Sequence, residues 1–152
     1  MPKKLIVQIR KEVLDAIFEG AKRLYPRENV LLLRGKRTRE VLEISDLIIP
    51  PLANRGSGFS GFPFHMLPMD FSLVGTAHSH PSGDLRPSHT DLNHFFGIIL
   101  MIVGFPYSSE NVAVYNRAGD LLELQLKESD GSHIACSFAA EILIQRRETK
   151  IL

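Results

Sequence analysis

Leu73-Val74-Gly75-Thr76-Ala77-His78-Ser79-His80-Pro81-Ser82-Gly83-Asp84-Leu85-Arg86-Pro87-Ser88-His89-Thr90-Asp91 is the stretch on which the reading of this chain turns. Its first five residues form an extended apolar run that leads directly into His78-Ser79-His80. The chain then breaks into a loop punctuated by Pro81, Gly83 and Pro87. Residues two apart on a strand project to the same side, so the imidazoles of His78 and His80 share one face where the strand ends. Ser88, three residues before Asp91, has the form of a helix-opening capping box, with a serine at N-cap and an acid at N3. A carboxylate in the first turn of a helix packed beside that strand can join the two imidazoles as a third ligand. Two His and one Asp leave the fourth tetrahedral position to water, the arrangement of a catalytic rather than a structural zinc. Bound zinc lowers the pKa of that water to about 7. Taken singly, each residue also has a plainer reading. An H-x-H pair occurs among ordinary core and surface histidines, and Ser88 and Asp91 serve as a cap alone. The two readings are compatible, since a capping serine still presents its hydroxyl to a neighbouring site.

Working outward from this string, residues 11–25 place Val13, Leu14, Ile17, Phe18, Ala21 and Leu24 on one helical face, and Pro26 marks the exit. Residues 29–34 read as a buried strand ending at Gly35, and 40–49 as a second strand stopped by Pro50-Pro51. The stretch 52–69 is broken by Gly56, Gly58, Gly61, Pro63 and Pro68 and reads as a long irregular loop. Downstream of the string, Ser88 opens a helix to about Gly97, and 98–103 is a continuous apolar run of the kind found in strands covered on both faces. Residues 111–115 and 121–126 flank Asn116-Arg117-Ala118-Gly119-Asp120 as a hairpin. A final amphipathic segment, 134–147, carries Cys136 as a small core residue. This order of elements suggests a mixed sheet with helices on both faces.

At 152 residues, 44% hydrophobic and 23% charged, the chain is expected to be one globular domain over 1–152. Lys plus Arg number 18 and Asp plus Glu 17, a net charge of +1. Such a balance argues against a nucleic-acid partner, which calls for clustered basic excess. The one cysteine excludes an intrachain disulfide and a zinc site built from several cysteines. The N-terminal apolar stretch breaks at Gln8 and Arg10, unlike a signal peptide, and no run approaches the ~18 residues of a membrane span. A cytoplasmic protein without a membrane partner is the expectation.

The string from His78 to Asp91 fits H-x-H, seven residues, Ser, two residues, Asp, and so resembles the signature of the JAMM (MPN-plus) metalloprotease family. Pro26-Arg27-Glu28 before the first apolar strand and the hairpin through Tyr115-Asn116-Arg117-Ala118-Gly119 are also similar to its short archaeal and bacterial members. The resemblance covers most of residues 5–127. It implies an α/β fold of three layers, a mixed, curved β-sheet with helices on both faces, of the JAMM/MPN, cytidine-deaminase-like kind. It implies Zn2+ held by His78, His80 and Asp91, with Glu28 as general base on the zinc water and Ser88 stabilising the oxyanion. The implied activity is that of a zinc-dependent (iso)peptidase acting at the C-terminal tail of a ubiquitin-like or sulfur-carrier small modifier protein. Two rivals lie in the same superfamily: a RadC-like domain associated with DNA repair, and a non-catalytic MPN scaffold subunit. His89 and His94, on the helix that carries Asp91, are candidate further contacts of the site.

Overall fold

Val7 and Ile9 are buried and Gln8 between them only half so, the alternation of a strand with one face on a core. In the computed structural model, which describes residues 3–50 and 71–128, these residues form β1, Ile6–Arg10. Helix α1, Lys11–Leu24, follows at once, turning Val13, Leu14, Ile17, Phe18 and Ala21 inward as their spacing predicts. Then come β2, Val30–Arg37, and β3, Val41–Ile48. Strand β4, Leu73–His80, leads to α2, His89–His94, and then to β5, Ile99–Gly104. A hairpin of β6, Val112–Asn116, and β7, Leu121–Lys127, ends the described chain.

The seven strands close into a barrel in the order β1-β3-β2-β4-β5-β6-β7. This corrects the expected three-layer α/β fold, in which a mixed, curved sheet was to carry helices on both faces. The reason lies in β1. It runs parallel to β3 on one side, with Ile6 opposite Val41, and parallel to β7 on the other, with Ile6 opposite Glu123. A strand paired on both sides removes the two edges an open sheet would keep. Gln8 and Arg10, which break the apolar run in the sequence, do not break the strand. On the face away from the core, Gln8 Nε2 donates to Gln125 Oε1 at 3.1 Å. Only two helices occur among the described residues. The loop expected over 52–69 and the helix expected over 134–147 lie outside them. No helix among the described residues is long and apolar enough to cross a membrane.

All seven strands and α1 contribute side chains to one apolar cluster, in which Ile99, Met101 and Val103 represent β5. Leu100 and Ile102 of the same strand turn to the opposite side and pack with Leu85, Phe95, Ala113 and Tyr115 in a second cluster. Strand β5 is therefore covered on both faces, as its unbroken apolar run predicts. Burying each such Leu or Ile contributes roughly 1.5–3 kcal/mol. The second cluster matters most for function, because it seats α2 and the loop before it against the end of β4.

Helix α2 is shorter than expected. It is capped by Phe95, and Gly97, at φ 94°, turns the chain back onto β4. A Cβ on Gly97 would lie 2.6 Å from the Val74 carbonyl oxygen, so no larger residue lets the two segments approach this closely. The buried Thr76 hydroxyl clamps the junction, donating to the Phe96 carbonyl at 2.9 Å and accepting from the Phe96 N–H at 3.0 Å. Arg117 adds bonds to the Gly97 and Phe95 carbonyls and lies over the Phe95 ring. The first turn of α2 is thus held beside the C-terminal end of β4.

Candidate metal centre

Strand β4 lies between β2 and β5, with His78 paired to Val30 and Ile102, and His80 to Gly104. Both histidines face the side of the second cluster, toward α2. There His78 Nδ1 lies 3.6 Å from Asp91 Oδ1, and His80 Nε2 lies 3.5 Å from Asp91 Oδ2. One donor atom from each of the three residues falls within 4.8 Å of the others. The two His–Asp separations exceed ordinary hydrogen-bond lengths. Each, measured to a different oxygen of Asp91, is close to the roughly 3.3–3.6 Å between neighbouring donors around a tetrahedral zinc whose bonds are about 2.0–2.2 Å long. The donor set is also chemically apt, two imidazoles and a carboxylate with no thiolate, so the residues present fit zinc.

Each candidate donor is oriented by its surroundings. The ring of His80 meets the Asp84 carbonyl through Nδ1 at 2.7 Å. A carbonyl only accepts, so Nδ1 carries the proton and Nε2 keeps its lone pair toward Asp91. Asp91 sits in the expected capping box: its N–H donates to Ser88 Oγ at 3.0 Å, and its Oδ2 accepts from the Ser88 N–H at 2.7 Å. The cap and the ligand readings therefore describe the same geometry, because the box aims the carboxylate it uses. Burial pushes the His78 pKa from 6.5 down to about 4, outweighing the opposing pull of Asp91. At neutral pH the ring is the neutral imidazole that binds metal.

That depression makes a testable prediction for the metal-free protein. The unfolded chain takes up a proton on His78 near pH 6.5, whereas the folded chain resists until about pH 4. Stability from this group is therefore present above pH 6.5 and is lost as the pH falls to 4, by on the order of 3 kcal/mol. Urea unfolding of chelator-treated protein at pH 7 and pH 4 measures the loss. His78→Gln should shrink it, and an equal loss in both proteins would contradict the assignment.

The other expected residues are placed as follows. Ser88 is exposed at the N-cap, and its oxygen accepts from the helix, which leaves the hydroxyl proton free to donate. Glu28 is exposed, two residues before β2 begins. Between them Asn29 N–H donates to Ser79 Oγ at 2.7 Å, and Ser79 N–H donates to the Asn29 carbonyl at 3.0 Å. Continuing that pairing by one residue brings the Glu28 backbone level with His80, at the same end of β4 as the three candidate donors. Burial raises the pKa of Tyr107, and the charge of Glu28 adds to the rise, so the carboxylate lies within electrostatic reach of that buried ring. His89 and His94 are exposed, and His94 Nδ1 turns back to the Thr90 carbonyl of its own helix at 3.0 Å. Neither belongs to the three-residue donor group.

Sequence reasoning missed the Asp84 carbonyl that orients His80, and the tyrosine that holds its loop. Tyr115 Oη donates to the Leu85 carbonyl at 2.6 Å in a buried position. A main-chain acceptor leaves no trace in residue type. A tyrosine in an otherwise apolar strand, Val112-Ala113-Val114-Tyr115, is the one available signal, since a buried phenol needs an acceptor.

Residues 10–117 match the family model of prokaryotic homologs of the JAB domain. The chain is 31% identical over 132 residues to a probable metalloprotease of Haloferax volcanii, with 82% of each chain covered. A crystal structure of a JAB1/MPN domain protein from Archaeoglobus fulgidus is similar at 32% identity and TM-score 0.59, over 78% of this chain and 97% of that one. A structure described as JAMM, a metalloprotease-like zinc site in the proteasome and signalosome, is similar at 33% identity and TM-score 0.57, over 80% of this chain and 97% of that one.

Proposed function

The chain belongs to the prokaryotic homologs of the JAB domain, and from that premise we propose that it is a zinc-dependent metalloprotease of the JAMM type, an isopeptidase that cleaves at the C-terminal tail of a ubiquitin-like or sulfur-carrier small modifier protein. The observation that carries this reading is the convergence of His78, His80 and Asp91, one donor atom each, within 4.8 Å. The probable metalloprotease of Haloferax volcanii and the JAMM zinc-site structure support it by likeness.

Zinc, when bound by these three residues, polarises the scissile carbonyl and acidifies a water molecule. The remaining work falls to the chain's own groups. Glu28 takes the proton from the attacking water and passes it to the departing amine, a general acid–base role that contributes about 10²–10⁴-fold. The Ser88 hydroxyl donates to the oxygen on which negative charge develops, and one such donor is worth about 3 kcal/mol. A single capping box ties that hydroxyl to Asp91, whose carboxylate faces the two imidazoles. The near-neutral charge of the chain favours a protein substrate over nucleic acid, and the cytoplasm is the compartment that goes with this reading. A scaffold role has no need of a complete donor set.

The test is incubation with conjugates of candidate modifiers, with and without a chelator, read by mass spectrometry. We expect release of the intact modifier with a free C-terminus, stopped by the chelator and restored by zinc. Intact conjugates throughout, from a protein loaded with stoichiometric zinc, would overturn the substrate assignment.

A further inference from the structure

We propose that Tyr115 is a positioning residue for the metal centre, its hydroxyl holding residues 84–85 so that the Asp84 carbonyl fixes the ring of His80. The inference rests on the zinc-site reading above and adds to it a residue of β6, on the far side of β5 from β4. Four contacts carry it. Tyr115 Oη donates to the Leu85 carbonyl at 2.6 Å, and Tyr115 is 5% exposed. The preceding carbonyl, that of Asp84, meets His80 Nδ1 at 2.7 Å. The Leu85 side chain is buried in the same apolar cluster as Tyr115, so the peptide is gripped through its side chain and its carbonyl. Gly104, opposite His80 on β5, lets the loop lie close: a Cβ there would sit 2.9 Å from the Gly83 carbonyl oxygen and 3.0 Å from Leu85 Cδ2.

The rest of the loop is built differently. Asp84 and Arg86 form a two-point ion pair at the exposed surface, with Arg86 Nη2 2.9 Å from Asp84 Oδ2. Exposed pairs of this kind hold geometry weakly. A short bond to a buried phenol holds it far better, because neither partner can turn to water instead. The ring of His80 has two nitrogens, and the Asp84 carbonyl selects the form in which Nε2 is the free donor. If the carbonyl drifts, the ring loses both its tautomer and its orientation. Partners of this kind behind a metal ligand are typically worth 10–100-fold in affinity.

The experiment compares the full chain with Tyr115→Phe, which keeps the ring and removes the hydroxyl. The zinc dissociation constant is measured by competition with a chromogenic chelator. The His80 tautomer is read by nitrogen NMR on the metal-free proteins. We expect zinc affinity to fall about 10–100-fold and the His80 signals to move from a pure Nδ1–H form to a mixture. Ile102→Val, a truncation in the same apolar cluster that leaves the loop bonds alone, controls for general loosening and should change neither readout. Gly104→Ala pushes the loop from the opposite side and should reproduce the loss if Tyr115→Phe folds poorly. Unchanged affinity and tautomer in both loop variants, with a wild-type protein that binds zinc, would overturn the role of Tyr115. A wild-type protein that binds no zinc would instead overturn the metal-site reading beneath it.

Discussion

Asp91→Asn is expected to lose stoichiometric zinc and, with it, all chelator-sensitive hydrolysis. The carboxylate spans the site, one oxygen 3.6 Å from His78 Nδ1 and the other 3.5 Å from His80 Nε2. An amide of the same shape still accepts the Ser88 N–H, so the start of α2 should survive. What disappears is the negative charge and an anionic donor for the ion. Losing the hydrogen-bond partner behind a metal ligand already costs about 10–100-fold in affinity, so removing a direct ligand should exceed about 100-fold. Metal content after gel filtration, measured by mass spectrometry, gives the result, with far-ultraviolet circular dichroism to show that the fold persists. Asp91→Ala should add a cost of about 0.5–2 kcal/mol in stability through loss of the cap. One equivalent of tightly held zinc in Asp91→Asn would remove Asp91 from the ligand set.

Glu28→Gln should separate chemistry from metal binding. The residue is exposed and stands outside the three-residue donor group, so zinc content and unfolding midpoint should match the wild type. Turnover should drop by about 10²–10⁴-fold, because an amide of similar size cannot carry a proton between water and amine. The loss should fall on kcat with KM little changed. Full turnover in this variant would take the general-base role away from Glu28.

The three-residue donor group was legible in the sequence because its geometry is local. An H-x-H pair at the end of a strand and an acid in the first turn of the next helix are separated by a short loop, and backbone periodicity sets where each side chain points. The capping box was legible for the same reason. Helix α1 followed from a spacing of three and four, and the β6–β7 hairpin from its turn, where Asn116 Oδ1 accepts from the N–H groups of Ala118 and Asp120. The closure of the barrel was not legible. It depends on a five-residue strand whose partners begin at Val41 and at Glu123 in the register. Nothing within Ile6–Arg10 names those partners, and the charge of Arg10 and the amide of Gln8 masked an alternation only four residues long. The parallel pairing of β4 with β5 was equally hidden, since the crossover between them is mostly loop and holds only the six-residue α2 where such pairs usually carry a longer helix. The role of Asp84 escaped for a third reason: it is exercised by the main chain.

The double pairing of β1 also sets a timetable for biosynthesis. Its first neighbour, β3, ends at Ile48, whereas its second, β7, is complete only at Lys127. At translation speeds of about 5–20 residues per second, the N-terminal strand waits on the order of ten seconds with one flank bare. Throughout that interval the nascent chain offers an open ladder to any passing strand or chaperone, and the arrival of its last hairpin withdraws the offer.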